Sequence, residues 1–286
     1  MSGLTNTLDH IVHLTPPGTV QLVSEQFRSL GFNVIPGGTH ADGLTANALV
    51  ILPDSTYLEL ICFTHPASHY PPGSPAHLAR TAHQWANKDP GWTAYACLGA
   101  PTAEPPLSAV INERAAREGL SLQYAAEVAG GRTRGDGVSL KWEIAAPVRW
   151  AEKEGGTRLP FFCGDVTPRS LRVPTEPREN TIHKNAAQSI AHLRVLAAHE
   201  AFSEVSKELE SVVGEPPVVL SPSEHAWVFA VPSSDAVWHP RLILREPDAN
   251  DEAEAKFIET HGAGLFEVGV RVERGEKAKV DTPYGR

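Results

Sequence analysis

A strand, a helix and three further strands follow one another within Leu8 to Leu60, and the same order returns twice along the 286-residue chain. Such a unit cannot bury its own sheet face alone, so a chain carrying it in tandem must pair its modules. The first strand, Leu8 to Leu14, is rich in aliphatic and β-branched residues and is stopped by Pro16-Pro17-Gly18. Thr19 is placed to cap the helix that follows, and Val20, Val23, Phe27 and Leu30 form its apolar stripe. Gly31 falls where a left-handed C-terminal residue is needed. Phe32 to Ile35, Ala46 to Leu52 and Thr56 to Cys62 read as the remaining strands.

The second copy has a strand at Trp92 to Gly99 and a helix at Leu107 to Glu118. Its other strands are expected at Ser121 to Val128, Val138 to Ala145 and Leu159 to Cys163. The third opens at Ser189 to Leu196, carries Phe202, Val205, Leu209 and Val212 on one helical face, and ends that helix at Gly214. Strands follow around Trp227 to Val231, Leu242 to Arg245 and Leu265 to Val272. The expected organisation is a first module over 1–66, a Pro- and His-rich linker over 67–91, and a second module over 92–171 that pairs with the first. A linker over 172–188 and a third, βαβββ-like module over 189–286 complete it. The fold class is α+β.

Side chains alternate along a strand, so His10 shares a face with Val12 and Leu14 while His13 points the other way with Ile11. Glu59 interrupts an apolar strand, where a carboxylate must be paired, metal-bound or protonated. His10 and Glu59 therefore converge on one face of the first module. Arg132 and Arg134, among Gly130-Gly131 and Gly135-Asp136-Gly137, read as a turn able to close over an anionic or carbonyl-bearing ligand; the alternative is a solvated hairpin. Asn47 is a further polar candidate, and Tyr57 and Trp142 line either the pocket or the core.

These motifs resemble the glyoxalase-like branch of the vicinal-oxygen-chelate superfamily. The resemblance rests on Asp9-His10-Ile11-Val12, Leu30-Gly31-Phe32 leading into Pro36-Gly37-Gly38-Thr39-His40, Asn47-Ala48-Leu49 and Tyr57-Leu58-Glu59-Leu60-Ile61. A second block runs from Gly131 to Gly137, through Leu140-Lys141-Trp142, to Leu159-Pro160-Phe161-Phe162. It implies paired modules curled into a half-open barrel around a small-molecule site. It also implies a divalent metal held by residues of the first and last strands. The second module offers Thr93 and Phe161 at the matching places, neither a good ligand. Two sets remain for zinc, iron, manganese or nickel: His10, His40 and Glu59, or His10, Glu59, His192 and Glu267 if the third module pairs with the first. A site without metal is the other expectation.

The function so implied is an enzyme acting on a small carbonyl- or enol-bearing molecule by isomerisation, addition, elimination or cleavage. His10, His40 and Glu59 would hold a Lewis-acid metal or act as acid and base, and Arg132 or Arg134 would meet charge developing on oxygen. The alternative is a fold-retaining protein that binds or sequesters a small ligand without metal.

A net charge of −9 and a pI near 5.8 argue against a nucleic-acid or anionic-membrane partner, and no apolar run approaches a membrane span. The N-terminal residues lack a signal pattern, and three strand cysteines, Cys62, Cys97 and Cys163, fit a reducing compartment; the expectation is a cytoplasmic protein. Cys163 as a nucleophile is weighed against a buried thiol. No Gly-x-Ser-x-Gly elbow, phosphate loop or dinucleotide fingerprint appears. A homodimer through the third module is a further expectation, since its helix stripe needs a sheet to cover it, its own or a partner's.

Overall fold

The computed structural model describes residues 5–151, 157–273 and 282. The first module is β1 (Leu8–Thr15), α1 (Val20–Ser29), β2 (Ile35–Thr39), β3 (Thr45–Ile51) and β4 (Tyr57–Phe63). After α2 (Pro75–Ala82), the second is β5 (Gly91–Leu98), α3 (Leu107–Arg117), β6 (Val128–Thr133), β7 (Ser139–Ala145) and β8 (Phe161–Asp165). These strands form one eight-stranded sheet in the order β2-β3-β4-β1-β5-β8-β7-β6, a mirrored arrangement about the β1–β5 seam. Within each half the opening strand runs parallel to the closing one, and β1 meets β5 antiparallel. The two outer strands approach each other as well. An isolated bridge between His40 and Arg132 and a hydrogen bond from Ala41 N to Gly131 O, 2.9 Å, nearly close the sheet into a barrel.

Short α4 (Arg169–Arg172) leads into the third module: β9 (Ala187–Leu196), α5 (His199–Val213), β10 (Val218–Ser221), β11 (Glu224–Val228) and β12 (Arg241–Arg245). Then α6 (Glu252–His261) and β13 (Gly264–Val272) follow, and the second sheet has the order β10-β11-β12-β9-β13. Leu265 to Val272 is thus not the closing strand of the third module. It lies antiparallel on the far side of β9, in the relation that β5 bears to β1, while β12 closes the module parallel to β9. The chain ends assigned to the first and third modules, 1–4, 274–281 and 283–286, lie outside the described residues.

Two bulges set the seam. Leu8 pairs with Cys97 but His10 with Ala96, so Asp9 is an extra residue on β1; Val12 pairs with Ala94 but His13 with Trp92, so Thr93 is extra on β5. His13 turns away from the barrel interior, with its ring edge-on to Phe27 at 5.3 Å and Trp92 at 4.7 Å. The largest apolar cluster lies on that outer face and runs continuously into the second sheet, joining Leu8, Ile11, Phe27 and Tyr95 to Val195, Leu209 and Leu265. Polar ties reinforce the contact: Thr5 Oγ1 donates to Val213 O, 2.9 Å, Leu8 N to Ala230 O, 2.9 Å, and Arg158 pairs with buried Glu208 at 2.8 Å. The third module therefore packs behind the barrel.

Gly31 has φ +89 and its carbonyl accepts from Asn185 N at 3.2 Å, so the end of α1 is anchored to the segment entering β9. Thr19 does not cap α1 through its side chain; its hydroxyl donates to Pro16 O at 2.6 Å instead. Ser121 to Glu127 is not a strand. The paired segment begins at Val128 because Gly130 and Gly131 are strand residues rather than turn residues: a Cβ at Gly130 would collide with the Trp142 indole, and one at Gly131 with Leu140 O. Turn geometry is confined to Arg134–Gly137.

Replacing His13 by Ala should cost about 2–4 kcal/mol of stability in urea unfolding, through the cavity left among Phe27 and Trp92. Ligand binding in the barrel should survive; a selective loss of binding at unchanged stability would reverse the strand facing.

Candidate active site

A cavity of about 690 Å³ fills the barrel, and Glu59 of β4 sits at its centre, 8% exposed. Asn47 Nδ2, from the neighbouring β3, donates to Glu59 Oε1 at 2.6 Å. His10 Nε2 stands 3.7 Å from Glu59 Oε2, and His40 Nε2 stands 3.8 Å from Oε1. The far nitrogen of each imidazole is anchored: His10 Nδ1 to Asp9 Oδ2 at 2.7 Å, His40 Nδ1 to Thr45 Oγ1 at 2.6 Å. Two imidazoles thus flank one carboxylate, each fixed from behind.

The Asp9 bulge brings a carboxylate to the same side as His10, which strict alternation would forbid. Asp9 is wholly buried and is met by Arg169 and Arg172 of α4, Arg172 Nη1 at 2.8 Å. Arg172 also donates to Asp165, Nε to Oδ1 at 2.6 Å, and to Tyr57 Oη at 2.8 Å. Burial by itself would raise the Asp9 carboxyl, but the two guanidiniums and His10 hold it well below the usual carboxylate range. An ionised Asp9 accepts the Nδ1 proton of His10 and leaves Nε2 with a free lone pair toward the cavity. Burial lowers the His40 pKa, opposed by Glu59 and Asp42, so this ring tends toward neutral.

Beyond His10 lies an aromatic wall. Phe161 meets the His10 ring edge-on at 5.3 Å, Trp150 lies 4.7 Å from Phe161, and Trp85 4.9 Å from Trp150; Tyr57 stacks on His10 at 4.6 Å. Beyond His40 lie Trp142, edge-on at 5.9 Å, and Arg132, whose guanidinium donates to Gly37 O. Arg132 is 5% exposed and lies on β6, in the cavity wall, whereas Arg134 caps the turn and pairs with Asp136 at 2.6 Å outside it. The segment after α2 brings His83, Gln84 and Trp85 over the cavity, so the expected linker supplies part of its wall. Burial pushes the His83 imidazole down to about 4.

Thr93 does not reach the cavity: as the bulged residue it turns its hydroxyl to Gly91 O at 3.0 Å, and Ala94 and Ala96 form the interior face of β5. His192 and Glu267 are bonded to each other at 2.8 Å in the second sheet, and Arg194 also reaches Glu267. They are not brought to His10 and Glu59, because the third module packs behind β1. Among the described residues no three His, Cys, Asp or Glu side chains are grouped to hold one ion. His10 and His40 address different oxygens of Glu59, one of which Asn47 already occupies. The donor set as placed does not converge on one ion position and so does not fit a metal. Cys163 lines the cavity, but burial pushes its thiol up to about 12, the opposite of an activated nucleophile.

The glyoxalase-like domain family matches residues 8–213. The chain belongs to that family. No curated protein matches this glyoxalase-like chain in sequence. Among solved structures, a hypothetical protein from Staphylococcus aureus is 13% identical, with 91% of this chain and 98% of that chain covered at a TM-score of 0.56. A triply substituted 4-hydroxymandelate synthase from Streptomyces coelicolor is 11% identical, with 94% and 71% covered at 0.53. At these identities the likeness concerns the fold, a vicinal-oxygen-chelate arrangement of βαβββ modules. No helix among the described residues is long and apolar enough to cross a membrane.

Asp9, Asp165, Arg169 and Arg172 stand behind His10 as an ion-paired group that no motif in the sequence singles out as such. Asp9 carried a signal, a carboxylate inside an apolar strand beside His10; the Arg169-x-x-Arg172 pair fell in what read as a module end and linker.

Asp9→Ala should cost about 3–5 kcal/mol, since it leaves the buried Arg172 and the half-buried Arg169 to share the single carboxylate of Asp165. Because its pKa is lower folded than unfolded, the stability Asp9 contributes is present above the ordinary value of 3.8 and is lost as pH falls below it. His83 adds a loss between pH 6.5 and about 4, where the unfolded chain takes a proton that the fold resists. Urea midpoints in wild type and Asp9→Ala from pH 7 to 3 should converge. Cys163 should remain unlabelled by iodoacetamide in native protein at pH 8 and react after denaturation, as mass spectrometry would show.

Proposed function

We propose that this protein is an enzyme that moves a proton within a small carbonyl- or enol-bearing molecule, using Glu59 and His10 as acid and base. The observation that carries this reading is the state of Glu59. Its Oε1 is held by Asn47, while its Oε2 carries no hydrogen bond and opens toward the lone pair of an Asp9-anchored imidazole. A desolvated carboxylate with one oriented, uncommitted oxygen is a competent base once substrate excludes the remaining water.

In this mechanism Glu59 Oε2 removes a proton from the carbon beside the carbonyl, and the electron pair moves onto the carbonyl oxygen. Arg132 stabilises that oxygen as charge develops. His10 Nε2 takes the hydroxyl proton, its imidazolium being stabilised by Asp9, and returns it as the product carbonyl forms. Glu59 delivers its proton to the neighbouring carbon. Every proton removed is returned, so the net reaction is an isomerisation. The same first step serves elimination when the neighbouring carbon bears a leaving group.

Incubation with a panel of 2-hydroxy ketones and 2-hydroxy aldehydes in deuterium oxide, followed by proton NMR, tests the reading. Wild type should exchange the proton beside the carbonyl of at least one member. Glu59→Gln, which keeps the Asn47 contact and volume, should lower exchange by 10²-fold or more with unchanged circular dichroism. Undiminished exchange in Glu59→Gln removes it as the base. Elemental analysis of protein purified without chelator runs beside it: a stoichiometric metal lost in His10→Ala would overturn the side-chain-only mechanism.

A further inference from the structure

The cavity is polarised along its length, and that polarity says what kind of molecule it takes. Glu59 lies between His10 and His40. On the His10 side the contacts run to Phe161, Trp150 and Trp85, and on the His40 side to Arg132 and Trp142. Half of the chain's six tryptophans line this one cavity. Two of them, Trp85 and Trp150, stand with Phe161 and give the His10 end a flat, polarisable wall that a short aliphatic carbonyl compound would leave unfilled.

The opposite end carries an electrostatic debt. Asp9 and Asp165 are matched one for one by Arg169 and Arg172, so that quartet is neutral. Arg132 has no such match. It is 5% exposed, its bond is to the Gly37 carbonyl, and among the described residues no carboxylate lies within ion-pair distance of it. A buried guanidinium held by a carbonyl alone is unfavourable, and an anion bound beside it would remove the penalty. Arg132 offers one guanidinium fork, which a single carboxylate fills, whereas a second negative charge on the ligand would add to those of Glu59 and Asp42 in the cavity wall.

We infer that the substrate is an aryl-bearing monocarboxylate, its carboxylate on Arg132 and its ring against Trp85, Trp150 and Phe161, which places the intervening carbons over Glu59 and His10. This rests on the proposed function for the identity of the reacting carbons, but not for the binding itself. The cavity volume of about 690 Å³ is within the range of drug-sized ligands and suits such a molecule with its chain extended. Trp142 can lie across β6 only because Gly130 stands opposite it, so the wall at the cationic end is flat too.

Isothermal titration calorimetry with three probes tests the assignment: 3-phenylpropanoate, its primary amide, and hexanoate. Wild type should bind 3-phenylpropanoate about tenfold or more tighter than either of the others. Arg132→Met should abolish the preference for carboxylate over amide while keeping that for aryl over alkyl, and Trp150→Leu should do the reverse. Arg132→Lys, which keeps the charge, should retain part of the carboxylate preference and separates lost charge from lost packing. Equal affinities for the three probes in wild type, no binding of any at millimolar concentration, or preferences indifferent to Arg132→Met would each overturn the proposal. Glu59→Gln removes a neighbouring negative charge and should keep the aryl preference and keep or sharpen the carboxylate preference, so discrimination without proton exchange would condemn the catalytic reading alone, and exchange without discrimination the substrate class alone.

Discussion

The buried charge of Asp9 is the constraint from which the site follows. A carboxylate with no exposed surface inside a strand of Leu, Ile and Val is tolerable only with partners, and it has Arg169, Arg172 and the His10 imidazole. Those partners come from distant segments. Arg172 ties β1 to Asp165 at the end of β8 and to Tyr57 at the start of β4, so one guanidinium spans both halves of the barrel. The same bonds fix the His10 tautomer. Closure of the barrel and orientation of the His10 ring share one set of hydrogen bonds, and Asp9 cannot be altered for one without touching the other.

The bulge that exposes Asp9 to its arginines also explains why the barrel interior is unequal in its two halves. On β1 the extra residue brings a second polar side chain inward, and on β5 the extra residue, Thr93, is spent on its own backbone, leaving Ala94 and Ala96 facing in. The first module therefore supplies the polar groups and the second supplies space and aromatic surface. No described residue of the third module lines the cavity. Its sheet covers the outer face of β1 and β5, where Ile11, His13 and Tyr95 would otherwise meet water, which is the burial that repeated βαβββ units require. β13 completes that sheet on the open side of β9, in the place where a further module would begin.

The module order, the pairing of the first two modules and the facing of His10, His13 and Glu59 were legible because they rest on period-two alternation and helical stripes, which are local signals. Strand position at Val128–Thr133 was not, since glycines that permit close approach to Trp142 and Leu140 look in sequence like turn residues. Correcting that placement moves Arg132 from a mobile turn into a fixed strand and leaves Arg134 outside with Asp136. The role of Leu265 to Val272 was hidden for a different reason: an apolar strand reads the same on either side of β9, and only the short β10, with Pro216-Pro217 before it, decides which segment fills the module. Asp9's arginines were hidden because ion pairing across more than 150 residues leaves no periodic trace.

The position of Arg132 on a strand carries a consequence for how the site can work. A guanidinium on a turn could approach an anion after it arrives, but one held on β6 opposite Leu140, with its backbone bridged to His40, is placed before any ligand enters. Preorganised donors require little rearrangement, whether the oxygen they meet belongs to a bound carboxylate or to a developing oxyanion. The loop over 64–90 supplies part of the cavity wall. It approaches the cavity through His83, Gln84 and Trp85 and is held by the Arg80 guanidinium lying 3.2 Å over the Phe63 ring, a contact with no partner carboxylate to strengthen it. Movement of that segment would shift Trp85 and leave Glu59, Asn47 and His10 where the sheet holds them.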